Sequence, residues 1–379
     1  MNYIKLGQAI SRAKVSRCGD NDYPVLSITM KDGIVMQSDK FKKRIASKDI
    51  SEYKVIPAGM LVQGIHMDEG NFGIQDIVPY GIVSPAYTVW TVDESVVFPK
   101  YIEMVLRSPR CIDYYRSKLN GTVNRRGHMS EGDFLGMQIP CPSIEEQKYV
   151  VTTMNQVKQV MISLTEEMTA LDQLIKARFV ELFGDMLTNP MNWLEQKLEY
   201  MADIVSGITK GRNIQTSKLF SVPYMAVSNV KDGYIDWTTV KTIDASQAEI
   251  NQYRLMPNDV LMTEGGDPDK LGRGAIIHDP PKDCIHQNHI FRVRLDQRLI
   301  IPVFMEQYLQ HQRAKRYFLG CAKQTTGIAS INMKQLRALP MLMPPLELQE
   351  QFATFVSQVD KSKVVDLSVF TNRAKSYII

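Results

Sequence analysis

Pro142-Ser143-Ile144-Glu145-Glu146-Gln147 opens the stretch on which the fold turns. Behind it Val150, Met154, Val157, Met161, Leu164, Met168, Leu171 and Ile175 follow at alternating spacings of four and three. That alternation draws one narrow apolar stripe along a helix, the seam of a helix made to lie along another. Ser143 with Glu146 three residues on forms a capping box, and Gly184 supplies the stop. At about 1.5 Å per residue such a helix reaches roughly 60 Å, the length of a spacer. Its partner is encoded farther along. Pro344-Pro345-Leu346-Glu347-Leu348-Gln349 repeats the opening, and Phe352, Val356 and Val359 take the positions of Val150, Met154 and Val157.

The chain between the two helices retraces the chain before them. Pro223-Tyr224-Met225 answers Pro24-Val25-Leu26, Lys231-Asp232-Gly233 answers Lys31-Asp32-Gly33, and Met256 to Leu261 answers Ile56 to Leu61. An amphipathic helix from Pro99 to about Leu119 has its counterpart in one starting at Pro302. Before each helix the signals are short β-strands separated by turns. The offset drifts only between 199 and 203, so a unit of about 190 residues is duplicated. The predicted class is α+β, with two similar globular α/β domains separated by two long antiparallel helices, a coiled coil with a pseudo-two-fold internal repeat. The predicted boundaries are 1–141 for the first domain, 142–190 for the first helical spacer, 191–343 for the second domain and 344–379 for the second spacer. Lys363 and Asp366 stand on the seam of that second spacer and Thr371 to Ile379 holds no cap, so its end is expected to be shortened or frayed.

Composition sets the class. The 379 residues, 44% hydrophobic and 23% charged, suit a water-soluble protein of two domains. A net charge of +4 leaves no polybasic tail, so any nucleic-acid footprint is local. Cys18, Cys111, Cys141, Cys284 and Cys321 follow no disulfide framework, which fits a reducing cytosol. Neither a secretory leader nor an apolar run of bilayer length is read, so a cytoplasmic location is expected.

No nucleophile triad or paired-carboxylate signature stands out. Asp279-Pro280-Pro281-Lys282 resembles the tetrad with which amino-methyltransferases hold a target base, but Lys282 stands where an aromatic should stack, and a proline turn is the better reading. The glycine-rich run Gly265 to Gly274 lacks the ending of a nucleotide loop and offers Lys270 and Arg273 to a phosphate backbone instead. Cys284, His286 and His289 are close in sequence, yet on a strand 289 faces away from 284 and 286, so no metal is assigned. His286, Gln287 and Asn288 are side chains that bond base edges and phosphates. Further candidates for nucleic-acid contact are Lys40, Lys43, Arg44, Arg125, Arg126 and His128 in the first half, and Lys210, Arg212, Lys323, Thr325 and Thr326 in the second. Arg125-Arg126 and Thr325-Thr326 occupy equivalent loops, each just before its long helix. Symmetric DNA readers meet half-sites about 34 Å apart, and two heads on a helical ruler provide such a geometry in one chain.

With these features the sequence resembles the specificity subunits of bacterial Type I restriction-modification systems over essentially its whole length. The resemblance rests on the two Pro-x-(Ile/Leu)-Glu-x-Gln openings, on Ser206-Gly207-Ile208-Thr209-Lys210-Gly211 with Val222-Pro223-Tyr224-Met225, and on the approach from Gly327 to Leu336. It implies two target-recognition domains, each reading one half of a split double-stranded DNA site. It implies a non-catalytic chain with no cofactor of its own. Two modification (methyltransferase) subunits would dock on the helices and restriction (translocase and nuclease) subunits would join them, bringing S-adenosylmethionine, ATP and Mg. The other classes open to these residues are a free-standing DNA methyltransferase and a coiled-coil adaptor whose heads bind protein.

Overall fold

The computed structural model describes residues 2–40, 49–118, 129–213, 218–267, 271–325 and 328–378, with the backbone alone at 324, 325, 328 and 364–378. It divides into two compact units, Met1–Ile162 and Ser163–Ile379. Each unit is built around a four-stranded antiparallel sheet. In the first, the order is Ile10–Arg12, Thr88–Val92, Leu61–Gln63, Phe72–Ile74. In the second it is Ala202–Ser206, Ile290–Leu295, Val260–Thr263, Gly274–Ile276. Read in chain order, both sheets have the same connectivity, so the duplication seen in sequence extends to topology.

Side chains from one face of each sheet bury against helices. In the first unit Leu61, Phe72 and Trp90 pack with Tyr115 and Phe134, the Phe72 and Phe134 rings stacked 5.8 Å apart. In the second, Val260, Met262, Phe291 and Val293 meet Phe304, Tyr308 and Phe318. The amphipathic helix expected from Pro99 to about Leu119 is two helices, Pro99–Leu106 and Pro109–Lys118. Pro109 has no N–H to donate and pushes Ser108 out of helical geometry. The second unit breaks at the same place without a proline, between Pro302–Gln310 and Gln312–Cys321, with His311 extended and its ring accepting the Arg313 N–H at 3.2 Å. Both units then close on themselves. Tyr3–Lys5 pairs with Gln138–Pro140, and Leu194–Lys197 pairs with Pro340–Met343, so the first strand of each unit lies on the strand that precedes its long helix.

The first long helix runs Ile144–Phe183. Its capping box forms, with the Ser143 N–H donating to Glu146 Oε2 at 2.8 Å and the Glu146 N–H to Ser143 Oγ at 3.3 Å. It ends at Gly184, whose φ of 73° lies in the left-handed region that glycine enters freely. The boundary between the units falls within this helix, at 162/163. The second long helix runs Leu346–Ile378, its backbone helical well past Lys363.

Within the second unit the two helices pair antiparallel. Phe183 and Phe179 meet Phe352 with rings 5.7 and 5.3 Å apart, Arg178 lies over the Phe355 ring, and Lys363 reaches Asp172 at 2.8 Å. Leu171, Ile175, Val356 and Val359 belong to the same core, and Leu164 and Met168 are half-buried. The stripe continues beyond Ile175 through Phe179 and Phe183, which carry the pairing into the domain core. Toward the start of the first helix the stripe drawn from sequence turns outward: Val150, Met154 and Met161 are exposed and Val157 is half-buried. The buried positions there are Gln147 and Val151, one turn apart, because that end of the helix packs on its own domain.

Gln147 and Gln349, the last residues of the repeated motif, are both fully buried. Gln147 Oε1 accepts the Phe98 N–H at 2.7 Å, and its Nε2 donates to the carbonyls of Pro142 (2.9 Å) and Val96 (3.3 Å). Gln349 repeats this with the Ile301 N–H (2.9 Å) and the carbonyls of Pro344 (2.9 Å) and Leu299 (3.1 Å). Each carboxamide thereby joins a long helix to the N-cap of the helix pair beneath it. Truncating Gln349 to alanine removes these bonds and strands a buried N–H, so the second unit should lose about 2–4 kcal/mol. Denaturant unfolding of the full chain, followed by Trp193 fluorescence in that unit, measures this; a change below about 0.5 kcal/mol would refute the joint.

Candidate nucleic-acid interface

In the second unit the strands of the large sheet deliver four segments to one end. Ser206 leads out of the first strand, Ile290 and Gly274 lead into the second and fourth strands, and Thr263 leads out of the strand between them. The segment after Ser206 is stitched to the one before Ile290. The Ile208 N–H donates to the His286 carbonyl (2.8 Å), the Asn288 N–H to the Ile208 carbonyl (3.1 Å), and the Ser206 hydroxyl to the Asn288 carbonyl (2.6 Å). The approach is so close that a Cβ on Gly207 would lie 2.0 Å from the His286 oxygen, so only glycine fits. From the other side the Glu264 N–H donates to the His289 carbonyl at 3.0 Å. Gly265–Gly266 then pairs with Ile328–Ser330, which pairs with Lys323–Thr325. Four stretches distant in sequence, 206–213, 263–267 with 271–274, 286–289, and 323–325 with 328–330, thus meet at one sheet end.

The side chains proposed from sequence divide once placed there. His286 is corrected: it is wholly buried, its Nδ1 3.1 Å from the Ile290 carbonyl, and burial, aided by Arg292, pushes the imidazole down to about 4. A ring so enclosed supports the strand and touches no solvent-borne ligand. His289, on the opposite face, is the outward histidine, with its side chain 57% exposed and Nδ1 2.5 Å from Glu264 Oε2. Asn288 stands beside it, half-buried, its Nδ2 3.5 Å from His289 Nε2. Gln287 is half-buried and partly committed, accepting the Val227 N–H at 3.3 Å.

Arg212 is also engaged internally, with Nε and Nη2 on the Glu249 carboxyl at 2.5 and 2.9 Å and Nη2 on the Asp244 carbonyl at 3.0 Å. That guanidinium holds Glu249 down to about 2, and the paired arginine braces the loop instead of reaching outward. Lys210 and Lys323 are exposed cations at the rim. Arg273 is half-buried, and its Nε and the neighbouring Thr263 hydroxyl have no hydrogen-bond partner among the described residues. Thr325 lies in the outer strand of the small sheet by its backbone, while Lys270 and Thr326 lie outside the described residues.

In the first unit Lys40 ends the short helix Gln37–Lys40 and pairs with Asp32 at 2.6 Å. Lys43, Arg44, Arg125, Arg126 and His128 lie outside the described residues.

Two other readings of the sequence are resolved by position. The Cys284, His286 and His289 trio does not converge: Cys284 is buried, with its thiol pushed up to about 12 by burial, and His289 faces away. Among the described residues no group of three or more His, Cys, Asp or Glu is placed to hold a metal. Asp279 to Lys282 lies at the surface and runs into a turn, 281–284, closed by the Cys284 N–H on the Pro281 carbonyl at 3.0 Å. Sequence reasoning missed the weight of His289 and its partner Glu264. Strand alternation already set 289 against 286, and that signal was sufficient to choose between them.

What this end of the sheet can do is present cations, an amide and an imidazole on a braced backbone, the groups that bind phosphates and base edges. Residues 190–366 match the profile of the Type I restriction modification DNA specificity domain. The EcoKI specificity subunit of Escherichia coli K12 is 22% identical over 287 residues, covering 70% of this chain and 59% of that protein. The StySPI specificity subunit of Salmonella potsdam is 23% identical over 286 residues, with the same shares of 70% and 59%. The chain therefore spans 59% of the length of each of these two relatives. Among solved structures, the S subunit of a type I restriction-modification system from M. genitalium shares the fold, with a TM-score of 0.56 at 13% identity over 98% of this chain and 92% of that one.

Replacing Lys323 with alanine should weaken retention of duplex DNA uniformly across sequences and reduce the salt dependence of binding by about one ion. Titrations of the full chain at several salt concentrations check this, and an unchanged slope would remove Lys323 from the interface.

Proposed function

We propose that the chain is a type I restriction-modification specificity subunit, the DNA-reading, non-catalytic subunit of such a complex, a reading supported by the family match over residues 190–366 and by the likeness to the EcoKI specificity subunit. One observation carries the reading: four sequence-distant loops converge at one end of a sheet whose strand order recurs in the other unit. Each unit then reads one half of a bipartite site, with Lys210 and Lys323 on phosphates and Asn288, His289 and Arg273 nearer the bases of the half-site read by the second unit. Phosphate contacts set register and base-edge contacts set sequence.

The long helices provide the spacing and the docking surface. Tyr149, Val150 and Met154 are 69%, 37% and 49% exposed on the first helix, an apolar stripe suited to a modification subunit. S-adenosylmethionine, ATP and Mg belong in this scheme to the modification and restriction subunits. Among the described residues no helix is long and apolar enough to cross a membrane.

Single-molecule methylation sequencing of a host carrying alanine variants tests the division of labour. Asn288→Ala or Arg273→Ala should alter one half of the methylated motif, and Arg125→Ala with Arg126→Ala the other; loss of both halves from one substitution would overturn it. Met154→Asp should weaken assembly with the modification subunit by at least about tenfold while leaving the motif unchanged, because a charge in an apolar contact is costly. Size-exclusion analysis of the mixed subunits reads this out, and full assembly by the variant would dismiss the stripe.

A further inference from the structure

The two copies share a second device, and they differ in how it is neutralised. In the first unit Glu103, on the helix Pro99–Leu106, accepts the N–H of Ile74 on the edge strand at 3.2 Å. In the second, Glu306 on Pro302–Gln310 accepts the N–H of Ile276 on the equivalent edge strand at 2.9 Å. Both glutamates sit beneath a Lys-Asp-Gly turn; a Cβ on Gly33 would lie 2.7 Å from Glu103 Oε1, and one on Gly233 would lie 2.7 Å from Gln310 Nε2. Glu103 has two cations within reach, Lys100 at 3.3 Å and Arg107 at 3.1 Å. Aligning the helices on their prolines puts Val303 where Lys100 stands and Gln310 where Arg107 stands. The second copy has kept the acceptor and dropped both of its cations.

Around Glu306 the charges are mostly of its own sign. It lines a cavity of about 290 Å³ together with Asp172 and Lys176 of the first long helix, Asp232 and Tyr234 of the turn, and Asp360 and Lys363 of the second long helix. Among the described residues neither Lys176 nor Lys363 forms an ion pair with Glu306. Lys363 is bound to Asp172 at 2.8 Å and Asp360 at 3.1 Å, and Lys315, from the helix Gln312–Cys321, approaches Asp232 at 3.7 Å. Beyond Asp360, His278 and Lys361 flank the adjoining surface.

We propose that Glu306 is a proton-operated latch between the second domain and its paired helices, closed when the carboxyl is neutral and loosened when it ionises. Burial pushes this carboxyl up to about 7, and Asp360 and Asp232 add to the rise, against the hydrogen bond from Ile276. A folded-state value above the ordinary 4.5 means that the stabilising contribution is full below about 4.5 and is lost as pH rises through about 7. Ionisation then places an unpaired negative charge between two aspartates, at the contact of strand, turn and both long helices. Water entry or separation of these elements relieves it. The first unit, with Lys100 and Arg107 in place, has no such device.

Hydrogen exchange of the full chain at roughly pH 6 and pH 8.5, corrected for intrinsic rates, tests this. Protection in peptides covering 274–276, 302–310 and 346–363 should fall at least about tenfold at the higher pH, while peptides covering 72–74 and 99–106 hold theirs. Glu306→Gln, a neutral isostere, should abolish the fall. Gln310→Arg, which restores the cation that the first copy has at that position, should abolish it too and serves where the glutamine variant folds poorly. A wild-type chain with no pH dependence in those peptides, or a Glu306→Gln chain that keeps it, would overturn the latch.

Discussion

A buried carboxamide, once in each copy, is the constraint on which the architecture depends. A glutamine side chain has one acceptor and two donors in a fixed plane, and at Gln147 and Gln349 both ends are used on backbone groups. Those groups need a partner. Phe98 and Ile301 stand where chain turns into helix ahead of a proline, and Pro142 and Pro344 stand where a strand ends. In a low-dielectric interior such orphans are expensive to leave bare, and one side chain satisfies strand end, helix start and long helix together. The domain and the helix that leaves it are therefore one object at the level of hydrogen bonds, before any apolar packing is counted.

Apolar packing adds the second tie, and in the second unit it is aromatic. Phe179, Phe183, Phe304 and Phe352 sit with ring centres 4.9 to 5.7 Å apart. Such pairs contribute about 0.5–1.5 kcal/mol each beyond area burial. The helix pair is thus fastened at its root, within the domain core, and continues outward through Val356, Val359 and the Lys363 to Asp172 contact. Lys363, which interrupts the apolar seam, replaces packing with an ion pair at that level of the pair.

The duplicated motif, the caps and the class of fold were legible in sequence because they are local or periodic. Ser143 with Glu146, Gly184 and the proline starts are short-range signals, and each is found in place. Strand order was not legible, since pairing joins residues such as Ser206 and Phe291 that no periodicity connects. Depth was legible only in part. The four-and-three alternation admitted Val150 and Met154 as readily as Leu171 and Ile175, yet the start of the helix faces its domain through Gln147 and Val151. Likewise His286 and His289 are the same residue type three positions apart, one inside the sheet and the other out. Residue identity put His286 forward, and burial sets it aside in favour of His289. Arg212 teaches the same lesson about charge: a cation in a polar loop is as often a brace for its own backbone as a hand extended to a ligand.

The closing strands have a consequence of another kind. Because Tyr3–Lys5 lies on Gln138–Pro140 and Leu194–Lys197 on Pro340–Met343, each domain begins and finishes at neighbouring points of the chain. The loops at the sheet end lie between those points, and the domain is fixed to its helix both near them and through Phe98 and Ile301 inside it. A crossover between genes at those two points would then carry over a whole domain together with its own half of the joint to the helix. Exchange of a whole domain, with no need to redesign the scaffold one residue at a time, follows from two short ladders of hydrogen bonds.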